Sequence, residues 1–110
     1  MCGRAACALD PNAACKRFNV SKPPQGLDQG RAYHPTYNAC PRSFQPIVYE
    51  RGGERFLCFM QWGLHARFEH GPSPINARAE TIASKPMFKR LVSRNRGILI
   101  TQGFVHFPCF

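Results

Sequence analysis

Met1-Cys2-Gly3-Arg4 opens the chain, and Cys2 is the residue whose position carries the most distinctive chemistry. Once an aminopeptidase removes Met1, Cys2 presents a free α-amine and a thiol on adjacent carbons. Such an aminothiol captures aldehydes. The amine condenses to a Schiff base, and the thiol then closes a thiazolidine ring. An α-amine titrates close enough to neutrality that a useful fraction is unprotonated and nucleophilic at pH 7. The small cysteine side chain permits removal of the methionine. The remaining cysteines (Cys7, Cys15, Cys40, Cys58 and Cys109) form no Cys-x-x-Cys pair, and the histidines are scattered. That pattern argues against a structural zinc site. No secretion signal supports a disulfide framework, so most of these cysteines read as small buried hydrophobes.

Charge narrows the partner class. Fifteen Lys and Arg oppose six Asp and Glu, a formal net charge of +9. No acidic residue follows Glu80, whereas Lys85, Lys89, Arg90, Arg94 and Arg96 do. This excess favours a polyanion, with nucleic acid the leading candidate. The length of 110 residues fits one small domain, and a 44% hydrophobic content supports a core. No run approaches the roughly 18 apolar residues of a membrane span, and no signal peptide is evident. An intracellular protein of the cytosol or nucleus, not secreted, monomeric and without cofactor or metal, is expected.

These residues need elements to hold them. Asp10-Pro11 predicts a helix start, with Asp10 as N-cap and the helix running to about Phe18. Prolines and glycines make residues 21–35 an irregular loop. Residues 46–50 and 55–61 read as strands joined through Gly52-Gly53 as a hairpin. A polar loop over 65–74 follows. Ser84 reads as the N-cap of a second short helix, whose apolar face is Met87, Phe88, Leu91 and Val92. Residues 98–104 read as a third strand. The class is α+β with antiparallel pairing.

Several segments in order resemble the SOS response-associated peptidase (SRAP) family, which includes abasic-site processing proteins that crosslink to damaged single-stranded DNA. They are Met1-Cys2-Gly3-Arg4, Tyr37-Asn38-Ala39-Cys40-Pro41, Gln61-Trp62-Gly63-Leu64 and Ile75-Asn76-Ala77-Arg78-Ala79-Glu80-Thr81, with a weaker match from Arg96 through Gly103-Phe104. The resemblance implies a mainly antiparallel, barrel-type β structure with short flanking helices. It implies that Cys2 attacks the aldehyde of a ring-opened abasic sugar and locks it as a thiazolidine. Asn76 would orient that sugar, its amide donating and accepting hydrogen bonds without adding charge. Arg4 and Arg78 correspond to residues that hold phosphates flanking the lesion, for which the planar guanidinium is suited. Lys85, Lys89 and Arg90 extend the basic surface. Trp62 reads as a core or rim aromatic, with base stacking as the alternative. Tyr37 and Asn38 are candidates to line the site, and Pro41 and Gly63 to set backbone geometry.

The chain also departs from the family pattern. His106 stands where a glutamate acid/base is usual; it could shuttle protons near pH 7 but supplies no carboxylate. His65 replaces a proline, and Gly97, Ile100 and Thr101 stand for Cys, Pro and Ala. The family domain is about twice as long and places a catalytic histidine in its second half. The comparison therefore predicts the N-terminal half of such a domain over residues 1–104, with a divergent tail over 105–110. Exposed strand edges and apolar faces should result. The expected function is an abasic-site sensor forming a covalent crosslink through Cys2. The resemblance also implies peptidase activity that exposes Cys2, and lyase-type activity. The alternatives are a non-catalytic, basic nucleic-acid-binding fragment and an inactive remnant.

Overall fold

Gly52-Gly53 forms the tight turn that the sequence predicts. Both glycines have positive φ, 59° and 74°, as a two-residue hairpin turn matched to strand twist requires. The strands on either side are longer than expected. In a computed structural model, which describes residues 2–22, 33–64 and 73–106, β3 (Phe44–Arg51) pairs with β4 (Glu54–Gln61) along its whole length. Met1, most of the expected loops at 21–35 and 65–74, and the 107–110 tail lie outside the described residues.

Two strands come from segments with no strand signal, β1 (Cys2–Cys7) and β2 (Thr36–Ala39). They join β6 (Gly103–His106) in an antiparallel sheet of order β2-β1-β6. A second antiparallel sheet has the order β4-β3-β5, where β5 is Ile98–Leu99. The fold is thus α+β with antiparallel pairing, divided into two three-stranded sheets.

The expected single strand over 98–104 is two strands serving different sheets. Ile100 lies between them and is buried, its N–H donating to Pro46 O at 3.3 Å. The chain then crosses to the other sheet. Gln102 N and Thr101 Oγ1 both donate to Ala6 O, at 2.9 and 2.8 Å. A continuous strand could not satisfy both sheets, so the segment breaks where it changes partner.

Helix α1 (Pro11–Arg17) forms as predicted, with Asp10 Oδ2 accepting from Ala13 N at 2.9 Å. The second predicted helix begins differently. Helix α2 (Ala79–Ile82) has Arg78 at its N-cap position, and α3 (Pro86–Lys89) has Lys85 there. Pro86 explains the shift, because proline fits the first turn of a helix and disfavours helical geometry in the residue before it. Ser84 instead donates its hydroxyl back to Thr81 O, at 3.0 Å. Helical hydrogen bonding then continues to Asn95 N, bonded to Leu91 O. Among the described residues no helix is long and apolar enough to cross a membrane.

The core lies where the sheets and α1 meet. Ala5, Cys7 and Ala39 come from the first sheet, Val48, Leu57 and Phe59 from the second, and Ala14 and Cys15 from α1. Tyr33 ties this core together. Its ring stacks on Phe59 at 5.2 Å, and its hydroxyl reaches Cys7 O at 2.8 Å and Leu9 O at 3.1 Å. Apolar exposure concentrates on β5 and β6: Ile98 is 68% and Phe104 66% exposed. Phe104 pairs in register with buried Ala5, so a strand-edge side chain next to the core is left open to solvent.

Burial raises the Tyr33 phenol well above its ordinary pKa, with Cys7 beside it adding to the shift. Burial likewise raises the Cys7, Cys15 and Cys58 thiols. Each group therefore holds its proton longer in the folded protein than in the unfolded one. Stability is full below the unfolded pKa values and declines as pH rises past them. Urea unfolding followed by fluorescence of the single tryptophan should show the decline beginning near pH 8.5, with a steeper fall above about pH 10. Tyr33→Phe should lower stability by about 1–2 kcal/mol at pH 7. It should also flatten the upper part of the alkaline slope, whereas an unchanged slope would show that Tyr33 is not shielded.

Candidate functional site

Cys2 sits at the first position of β1, the central strand of its sheet, and is half-buried. The pairing with β6 runs Cys2↔His106 and then Arg4↔Val105, so β1 carries one extra residue around Gly3. A bulge of this kind breaks strict side-chain alternation and re-aims neighbouring residues. Accordingly Arg4 is exposed while Cys2 is half-buried. The backbone of position 106 lies directly across from Cys2.

A segment from the far side of the sequence closes over the start of β1. Asn76 Nδ2 donates to Cys2 O at 2.8 Å, across 74 positions of chain. Asn76 is half-buried and precedes α2 without capping it, since no side chain caps that helix. Its amide nitrogen is thus engaged with the Cys2 backbone. Arg78, at the N-cap position of α2, is exposed.

The strand end β4 fixes the segment before Asn76. Trp62 Nε1 donates to Ile75 O at 2.9 Å, and Leu64 N donates to Pro74 O at 3.0 Å. Gly63 between them has φ +121°, a conformation that a side chain would strain. Trp62 packs beside the core and is half-buried. Its own backbone is bonded on both sides: Trp62 N to Ser43 O, and Arg42 N to Trp62 O, each at 2.9 Å. Sequence reading had no signal for Arg42, Ser43 and Ile75 as parts of this brace, because their contributions are backbone groups.

The other expected residues lie around rather than on this pair. In β2 the register steps from Ala5↔Ala39 to Cys7↔Thr36, so Tyr37 and Asn38 form a second bulge opposite β1. Tyr37 is 77% exposed. Asn38 lines a cleft of about 560 Å³ that does not include Cys2. Lys85, Lys89 and Arg90 are exposed on α3 and at its end. Among the described residues the one ion pair joins Lys22 to Glu54, and Arg4, Arg78, Lys85, Lys89 and Arg90 pair with no carboxylate of those residues. A larger cavity, about 940 Å³, is a mainly apolar groove between β3 and residues 82–100, and it too excludes Cys2.

Residues 1–106 match the model of the SOS response associated peptidase (SRAP) family. The chain is 33% identical over 108 residues to the abasic site processing protein YobE of Bacillus subtilis, covering 94% of this chain and 48% of that one. It is equally similar to the abasic site processing protein YoqW of the same organism, of which 46% is covered. It is 29% identical over 127 residues to the abasic site processing protein HMCES of Xenopus tropicalis, covering 38% of that protein. The chain spans about half the length, or less, of the curated relatives it matches. A strand-first Cys2 bonded to Asn76 and a family model matching nearly every residue lead to one assignment: this chain belongs to the SRAP family.

Proposed function

We propose that this chain captures abasic sites in single-stranded DNA by forming a thiazolidine through Cys2. The observation that carries this reading is the Asn76 amide on the Cys2 carbonyl, in a chain whose relatives are named abasic site processing proteins. Removal of Met1 frees the α-amine, and the family's peptidase designation fits self-exposure of Cys2. The amine adds to the aldehyde carbon of the ring-opened sugar, and loss of one water leaves an imine. The Cys2 sulfur then bonds to the imine carbon, its proton passing to nitrogen. No redox partner is needed, because the aldehyde carbon keeps its oxidation level throughout.

The surroundings of Cys2 suit this chemistry. Half-burial limits the paths by which water could hydrolyse the imine before the ring closes. Cys7, Cys15 and Cys58, whose thiols burial pushes up, are poor competitors, since the thiolate is the reactive form. Asn76 holds the carbonyl of Cys2 and so fixes the orientation of the adjacent α-carbon, which bears both nucleophiles. Arg4 and Arg78, exposed and in no ion pair among the described residues, are placed in sequence two residues beyond Cys2 and Asn76. They would grip the phosphates on either side of the lesion. Lys85, Lys89 and Arg90 extend the same attraction along the strand. No proton transfer is routed through His106.

Incubation with a single-stranded oligonucleotide bearing one abasic site should give a shifted band that survives denaturing electrophoresis. Cys2→Ala should abolish the heat-stable band. Cys2→Ser keeps the amine and should yield only an imine, visible after borohydride reduction and lost without it. A heat-stable band from Cys2→Ala would sink the thiazolidine reading.

Binding to intact single strands should weaken steeply with salt. Arg4→Ala and Arg78→Ala should each reduce the slope of log affinity against log salt by roughly 0.7. An unchanged slope in either variant would remove that arginine from the DNA path.

A further inference from the structure

Trp62 carries aromatic surface to the edge of the site, where stacking on a base is the obvious use. Its hydrogen bonding points elsewhere. The indole N–H is committed to Ile75 O at 2.9 Å, the residue immediately before Asn76. Leu64 N holds the preceding carbonyl, Pro74 O, at 3.0 Å. The two donors sit on either side of Gly63, whose φ of +121° puts a sharp turn between them. Together they clamp two successive carbonyls of the segment that delivers Asn76 to Cys2.

The base of this clamp is rigid. Trp62 N–H and C=O are both bonded to the turn at Arg42 and Ser43. That turn is braced in its own right: Ser43 N donates to Cys40 O at 3.1 Å, and Gln61 Nε2 donates to Arg42 O at 2.9 Å. The indole ring packs against the core cluster. With its backbone bonded on both sides, its ring packed against the core and its one polar side-chain atom used, Trp62 has little freedom to turn toward a base. Asn76, in contrast, has no helix of its own to orient it, because α2 starts three residues later and the stretch from 73 to 78 is irregular.

We infer that Trp62 is a positioning residue: its indole N–H sets the 74–76 segment so that the Asn76 amide meets the Cys2 carbonyl. This rests on the proposed Cys2 reaction for its functional consequence, though not for its geometry. The bond to Ile75 O lies at the surface, so water can replace the indole on that carbonyl. Losing the indole donor therefore costs orientation more than stability.

Trp62→Phe tests this, since phenylalanine keeps an aromatic face and removes only the donor. In the absence of DNA, NMR should show faster hydrogen exchange of the Asn76 side-chain amide in this variant than in the wild type. The rate of adduct formation on an abasic oligonucleotide should fall about fivefold, the size of one hydrogen bond at the reacting group. Affinity for an intact strand should be unchanged. In an Asn76→Ala background the same substitution should change the rate no further. Unaltered Asn76 exchange would overturn the inference, as would a rate loss matched by lost affinity for intact DNA, which indicates stacking. If the wild type forms no adduct, the crosslinking reading fails while the exchange comparison still decides the role of Trp62. If Trp62→Phe does not fold, the wild-type indole N–H decides: slow exchange supports the clamp, and exchange at the rate of free indole overturns it.

Discussion

The hydrogen bond from Asn76 to the Cys2 carbonyl is the constraint on which the site depends. It spans 2.8 Å and joins residues 74 positions apart, so it is a product of tertiary folding rather than of local structure. β1 must be the central strand, flanked by β2 and β6. The hairpin β3–β4 must end at Trp62 with Gly63 in its unusual conformation. Here the first described residue is paired to one strand through its backbone and bonded to a side chain from a distant segment. That anchoring gives Cys2 a defined direction.

The charge distribution and the apolar surfaces divide the rest of the molecule. Arg4 and Arg78 flank the Cys2–Asn76 pair in sequence and are exposed. Beyond Glu80 the sequence holds basic residues and no acidic one, so the charge of this stretch is wholly positive. The apolar exposure at Ile98, Leu99, Phe104 and Val105 has a different meaning. These side chains sit on β5 and β6, the outermost strand of each sheet at one edge. They coincide with a chain that spans about half the length of its relatives. The groove between β3 and residues 82–100 follows from the same loose packing, since no residue of α2 or α3 is buried.

How much of this was legible in the sequence depended on whether the signal was local. Asp10-Pro11 and Gly52-Gly53 act through their own backbone preferences, and both produced the expected element. β1 and β2 were invisible because Ala5, Cys7 and Ala39 are small residues with weak strand preference; burial between neighbouring strands makes them strands. Residues 98–104 looked like one strand because the need to serve two sheets is written in tertiary partners, Pro46 and Ala6, rather than in hydrophobicity. Ser84 is a good cap in isolation, yet Pro86 sets the helix start. At the site, Cys2 and Asn76 were legible as residues, and their contact was not. Trp62 was legible as an aromatic whose ring belongs with the core. That its N–H serves the Asn76 segment could be learned only from the fold.

In the proposed reaction both nucleophiles of Cys2 end on one sugar carbon. Intact mass spectrometry of the purified protein after reaction with an abasic oligonucleotide measures this most directly. The expected product is a protein lacking Met1, plus one oligonucleotide, minus one water, with the modification mapping to Cys2 and stable to borohydride. A protein that retains Met1, or an adduct located on a lysine and stabilised only by reduction, would contradict it.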